Sequence, residues 1–266
     1  MIRWLKFLVL PFLVSFLFSG GAMATDITIQ DLNTVGGTGW YGDQEDNEVE
    51  PGMVQNQEWD LEQFLLVGTT LELVGGYDFK DGLSGYNSGD IFIGGADVLY
   101  GPDAATASSS STANNTMKNL FNYDYAVDLI FDSNGHHTYN VYQIDANTDV
   151  ETSAFYNHGT GMSNQASNPI ELTNPNSLIS NYTGDLEFVE KDASPDGKYH
   201  LSIDIGFLLD EGWAGDEFIS HFTMQCGNDN LMGKGTVPVP EPATMLLLGT
   251  GLLGIAGVGR KKLFKK

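Results

Sequence analysis

Apolar and polar residues alternate with period two along several stretches of the chain. Tyr125, Val127, Leu129 and Phe131 alternate with Ala126, Asp128 and Ile130; Leu201, Ile203, Ile205 and Phe207 alternate with Ser202, Asp204 and Gly206; Phe218, Ser220, Phe222 and Met224 follow less cleanly. Successive side chains of a strand point to opposite faces, so this pattern predicts strands with one buried face. Shorter strands are predicted over 69–74, 90–93, 138–144 and 185–189, with Gly, Asn, Asp or Pro between most of them. No long helical period interrupts residues 25–233, and the fold expected there is all-β, an antiparallel β-sandwich or jelly-roll-like body. Residues 104–116, with a serine run at their centre, and 162–177, rich in Asn, Ser and Pro, read as long loops, and 234–242 as a linker.

The pattern changes at both ends. Arg3 and Lys6 precede an apolar run, Phe7 to Phe18, and Ala22-Met23-Ala24 then places small residues where a signal peptidase reads them. Residues 1–24 therefore have the three parts of a secretory signal, with cleavage expected after Ala24; an uncleaved membrane helix is the alternative. At the other end Val239-Pro240-Glu241-Pro242 is followed by a charge-free run over 243–259 and a basic end over 260–266 that opens with Arg260, Lys261 and Lys262. The run of 17 residues reaches roughly 25 Å as a helix, short of the roughly 30 Å hydrocarbon core. Its five glycines weaken a helix further. A single transmembrane helix over 243–259 is expected, stopped by the basic cluster on the cytoplasmic side. Its shortness favours temporary residence over a permanent anchor. Pro240 and Pro242 fix their own φ and push the residues before them out of the α region, so Glu241 is presented on extended chain at the membrane surface.

Charge is partitioned in the same way. Of 12 Lys and Arg, two lie in the signal and five in the tail, while all 35 Asp and Glu lie between Asp26 and Glu241. Residues 25–242 therefore hold five cations against 35 acids, a net charge of −30. Such a body repels phosphate backbones and anionic headgroups, which excludes nucleic acid as a partner.

The order Val-Pro-Glu-Pro, apolar segment and Arg-Lys cluster resembles the PEP-CTERM sorting signal of Gram-negative bacteria. The resemblance covers about the last thirty residues and maps Pro240, Glu241 and Pro242 onto the recognised motif. It implies an exosortase as processing enzyme, an inner-membrane precursor, and a final place at the cell surface or outside the cell, often in bacteria that secrete exopolysaccharide. Segments around Trp59-Asp60-Leu61-Glu62, Leu73 to Phe79, Ser88 to Ile93 and His221 to Asn230 are similar to those preceding the tail in a subset of such proteins, and imply no catalytic activity.

Chemistry of the chain's own is sparse. There is no His-Glu-x-x-His, no Gly-x-Ser-x-Gly and no phosphate loop. His136-His137 reads as a hairpin turn, with His158 the one loose further ligand. Cys226, the single cysteine, rules out an internal disulfide and reads as a buried thiol on the last strand, with an intermolecular bridge as alternative. Calcium is the one cofactor the composition favours: Asp145, Asn147 and Asp149 alternate as oxygen ligands, although Val150 stands where an EF-hand needs Gly. The acidic run from Asp43 to Glu50 reads as a solvated loop. The leading expectation is a non-enzymatic surface or matrix protein. A glycan- or calcium-dependent binding module, with Trp40, Trp59 and Trp213 as stacking platforms, comes second. A secreted glycoside hydrolase using paired carboxylates comes third, and an ice-binding face lacks any regular Thr-x-Thr array.

Overall fold

The computed structural model of the protein describes residues 23–29, 31–32, 40–41, 56–100, 115–152, 169–174, 180–239 and 250. In chain order the strands are β1 (Thr25–Asp26), β2 (Asp31–Leu32), β3 (Trp40–Tyr41), β4 (Leu61–Val67), β5 (Thr70–Gly75), β6 (Ile91–Gly94), β7 (Asn115–Lys118) and β8 (Tyr125–Ile130). They continue with β9 (Thr138–Gln143), β10 (Asp149–Thr152), β11 (Pro169–Leu172), β12 (Ser180–Asp185), β13 (Glu187–Val189), β14 (Tyr199–Asp204), β15 (Glu217–Thr223) and β16 (Asn230–Thr236). One short helix, α1 (Phe207–Asp210), lies between β14 and β15.

A five-stranded sheet, β1-β4-β5-β14-β13, faces a six-stranded sheet, β12-β9-β8-β6-β15-β16, and neighbouring strands in both run antiparallel. Alternate residues meet between them: Phe64, Leu71, Leu73, Leu201 and Ile203 from the first, and Ile91, Ile93, Val127, Val141, Phe218 and Phe222 from the second. The all-β, antiparallel expectation holds, with one addition. The residues of opposite parity on the six-stranded sheet, Phe92, Ala126, Tyr142, Ile219 and Met232, are buried too, in a second core with Val150 and Leu172 of a small sheet, β11-β10-β7. The six-stranded sheet is thus covered on both faces. That is why Ile91-Phe92-Ile93 is apolar without alternation.

The first residues of the body seal an open edge. Ile27 donates to the Phe64 carbonyl at 2.9 Å while its own carbonyl accepts from Lys234 at 2.7 Å, so 25–29 lies between β4 and β16. Pairing at these edges removes the exposed ladder groups that invite aggregation.

Several boundaries differ from those expected. The linker expected from 234 begins later, because β16 runs to Thr236 and Val237 is fully buried. Gly233 and Gly235 look like linker residues but mark close approach. A Cβ at 233 would lie 2.5 Å from Ser220 Oγ and 2.9 Å from the Phe64 ring, and one at 235 would lie 2.7 Å from the Phe218 ring. The single strand expected over 185–189 is two strands in different sheets, since buried Leu186 carries the chain from one to the other. The strand expected over 201–207 ends at Asp204, whose Oδ1 accepts from the Gly206 N–H at 2.8 Å and turns the chain into α1. Residues 115–116 and 169–172, expected in loops, belong to β7 and β11.

Candidate functional site

The body releases its C-terminus abruptly. Val237 donates to the Asp216 carbonyl at 2.9 Å and accepts from Gly215 at 2.9 Å, whereas Val239 is 63% exposed. Three residues separate the pinned Val237 from Glu241, which bounds their Cα separation at about 14 Å. The antiparallel bridge between Thr28 and Gly233 places the other end alongside: chain preceding Thr28 runs beside chain following Gly233. The expected cleavage point after exposed Ala24, one residue before β1, and the exit toward the sorting motif therefore leave the body at one corner. Ala22, Pro240, Glu241, Pro242, the apolar run apart from Thr250, and Arg260, Lys261 and Lys262 lie outside the described residues. Among the described residues no helix is long and apolar enough to cross a membrane.

The calcium candidates are placed around a cation the chain already supplies. Lys118 Nζ lies 2.7 Å from the Asn147 carbonyl and 2.6 Å from Asp149 Oδ1. Asp145 turns inward on its own loop, its Oδ1 accepting from the Asn147 N–H at 2.8 Å, and this bond holds its carboxyl below the usual range. Asp149 opens β10. The alternate spacing therefore serves an Asx turn and an ion pair, and among the described residues no group of three or more His, Cys, Asp or Glu is arranged to hold a metal.

The structure assembles one array that the sequence did not announce. His200 Nε2 lies 2.9 Å from Ser194 Oγ, and Nδ1 lies 2.7 Å from Glu72 Oε1, the contacts expected of nucleophile, base and orienting carboxylate. Its surroundings disarm it. Asp196 Oδ1 and Oδ2 lie 3.0 and 3.1 Å from the same Nε2, and Asp196 also accepts from the Ser194 hydroxyl. Partial burial opposes charge on His200, but the two carboxylates outweigh it and raise its pKa. Burial likewise works against Asp196, yet its bonds to Ser194 and His200 bring it down to about 2. Pro195 follows Ser194 and has no N–H to offer an oxyanion, while the Ser194 N–H is committed to the Glu190 carbonyl at 3.1 Å. The array clasps the Ser194-Pro195-Asp196-Gly197 turn onto the sheet. That turn is readable from its Pro-Asp-Gly; its contact with Glu72, 128 residues away, is not.

His136 and His137, expected in the hairpin turn, follow it instead, between Gly135 and β9. His136 pairs with Asp185 at 3.5 Å, and His137 accepts from the Asp132 N–H at 3.2 Å. Trp59 is buried with its edge toward Tyr86, and half-buried Trp213 lies against Tyr125. The side chain of Trp40, and His158, lie outside the described residues. Cys226 is buried, but in the connection between β15 and β16 rather than on a strand. Burial pushes its thiol up to about 11, which suppresses the reactive thiolate at neutral pH. A thiol-specific reagent should leave Cys226 unlabelled in the native protein and label it fully in denaturant, as counted by mass spectrometry.

These features define a class: an all-β body whose last strand and buried Val237 end within a few residues of a proline-flanked acidic motif. The family model of the PEP-CTERM protein-sorting motif matches residues 238–261. The chain therefore carries that sorting signal, which marks it for processing by an exosortase and for sorting to the cell surface. Neither a curated protein nor a solved structure matches the chain.

Proposed function

We propose that this is a non-enzymatic surface or extracellular-matrix protein, exported by its signal, held briefly by its tail, released by an exosortase and retained near secreted exopolysaccharide. The sorting motif at 238–261 carries the reading. Three further observations support it. The motif follows Val237 with almost no stalk. The body, at −30 over residues 25–242, suits a partner that is neutral rather than anionic. The hydroxyl of the triad-like array is held by Asp196 rather than by a free base.

The test is the mature C-terminus, read by mass spectrometry in envelope and medium from strains with and without the sorting enzyme. Truncation within or just after Pro240-Glu241-Pro242 is expected only where the enzyme is present, and Glu241→Ala should cut release about tenfold or more, the effect of losing a recognition contact of roughly 1.4 kcal/mol or above. An intact Lys266 in both strains refutes processing.

A further inference from the structure

Half-buried aromatic rings cluster beside α1, away from the His200 array. Trp213 lies against buried Tyr125, with ring centroids 5.9 Å apart, and Tyr125 against Phe207 at 5.2 Å. Half-buried Tyr182 lies against Phe207 at 5.5 Å. The Tyr182 hydroxyl donates to Glu211 Oε1 at 2.7 Å, and Glu211 itself is exposed. Burial, and after it the nearby Glu211 carboxylate, push Tyr125 up to about 12.

The parts come from three separated segments. Tyr125 opens β8, Tyr182 is on β12, and Phe207, Glu211 and Trp213 belong to α1 and the turn after it. Their rings touch one another, so they enclose no void of the kind that cages a cation. What they present is the partly exposed edge of an aromatic cluster, Trp213 and Tyr182 over a buried floor, with one exposed carboxylate oriented by a tyrosine. Aromatic surface of this kind covers the C–H face of a pyranose, and a fixed carboxylate accepts from its hydroxyls. An anionic sugar is disfavoured by Glu211 and by the body's charge of −30 over residues 25–242.

We infer that Trp213, Tyr182 and Glu211 form a binding subsite for a neutral polysaccharide, with Tyr125 and Phe207 as its buried floor. This names the ligand class behind the retention proposed above and rests on that reading for where the polymer is met. The turn carrying Trp213 also holds the exit of the chain, since Gly215 bonds Val237. This edge thus stands near the corner that the sorting step frees.

The test uses the full-length chain in detergent micelles, titrated calorimetrically with cellohexaose, laminarihexaose and maltohexaose. At least one of these neutral oligosaccharides should bind. Trp213→Ala should weaken it about tenfold and Trp213→Phe less, as expected for loss of one stacking ring. Glu211→Gln, an exposed change that leaves the fold intact, should weaken binding severalfold. Binding by none of the three, or unchanged binding in both Trp213→Ala and Glu211→Gln, overturns the inference. Displacement of the bound oligosaccharide by tetramethylammonium also overturns it, in favour of a cation site. The two readings separate cleanly: Glu241→Ala should block release with sugar binding intact, and Glu211→Gln should weaken sugar binding with release intact.

Discussion

Gly233→Val should leave little folded body, seen as loss of the cooperative thermal transition of the purified protein. At this position β16 passes directly beside Phe64 of β4 and Ser220 of β15, and a side chain would meet Ser220 Oγ and the fully buried Phe64 ring. Overpacking of this kind costs about 3 kcal/mol or more, a large share of the 5–15 kcal/mol typical of a domain. The gain from replacing glycine in a strand, about 0.5–1 kcal/mol, does not offset it. Gly233→Ala should cost less, and the cost should shrink in a Ser220→Ala background because the nearest obstructing atom is then gone. Equal cost of Gly233→Ala in both backgrounds would place the clash elsewhere.

The second large effect is on pH dependence. Burial lowers His221 to about 3, since its ring lies among Phe92 and Tyr123 with Nε2 at 3.1 Å from the Pro169 carbonyl and Nδ1 against the Met232 sulfur. Burial raises Asp229 to about 7, against the opposing bonds from the Leu61 and Asn230 N–H groups. The signs are opposite. Between its folded pKa of about 3 and the unfolded value near 6.5, His221 takes up a proton only on unfolding, so its contribution falls as pH falls. Between the unfolded value near 3.9 and about 7, Asp229 holds a proton only when folded, so its contribution falls as pH rises. From about pH 4 to 6.5 the two oppose each other, each with a slope of up to about 1.4 kcal/mol per pH unit.

Single variants should expose each slope. The stability of His221→Gln relative to wild type should improve as pH is lowered through that window. That of Asp229→Asn should improve as pH is raised through it. Denaturant titrations at half-unit pH steps read both differences directly, and parallel profiles would mean that neither group titrates as its burial requires.

How much of this was legible in advance depended on whether the decisive contact was local. Alternation at Tyr125–Phe131 and Phe218–Met224 marks the face turned to the five-stranded sheet, and both stretches are strands nearly as expected, but it did not report that their opposite face is buried as well. Alternation could not report β16, because Gly233 and Gly235 are required by Phe64, Ser220 and Phe218, residues distant in sequence. It could not report that Asp185 and Glu187 belong to opposite sheets, since the switch depends on which neighbour each strand pairs with. The spacing of Asp145, Asn147 and Asp149 was visible, but Lys118, which stands against two of them, comes from a different strand. Glu211 and Tyr182 carried no signal at all, because neither has a chemical role until α1 brings them together.

The sequence by itself determined the address of this protein. The charge partition and the sorting motif are linear features, legible in the order of residues alone, so they need no fold to be recognised. Only the tertiary structure decided where the body ends, why Ser194 and His200 form a clasp rather than a catalytic pair, and which aromatic rings share a surface. Each of those rests on contacts between residues far apart in the chain, and burial and pairing, unlike order, exist only once the sheets have closed.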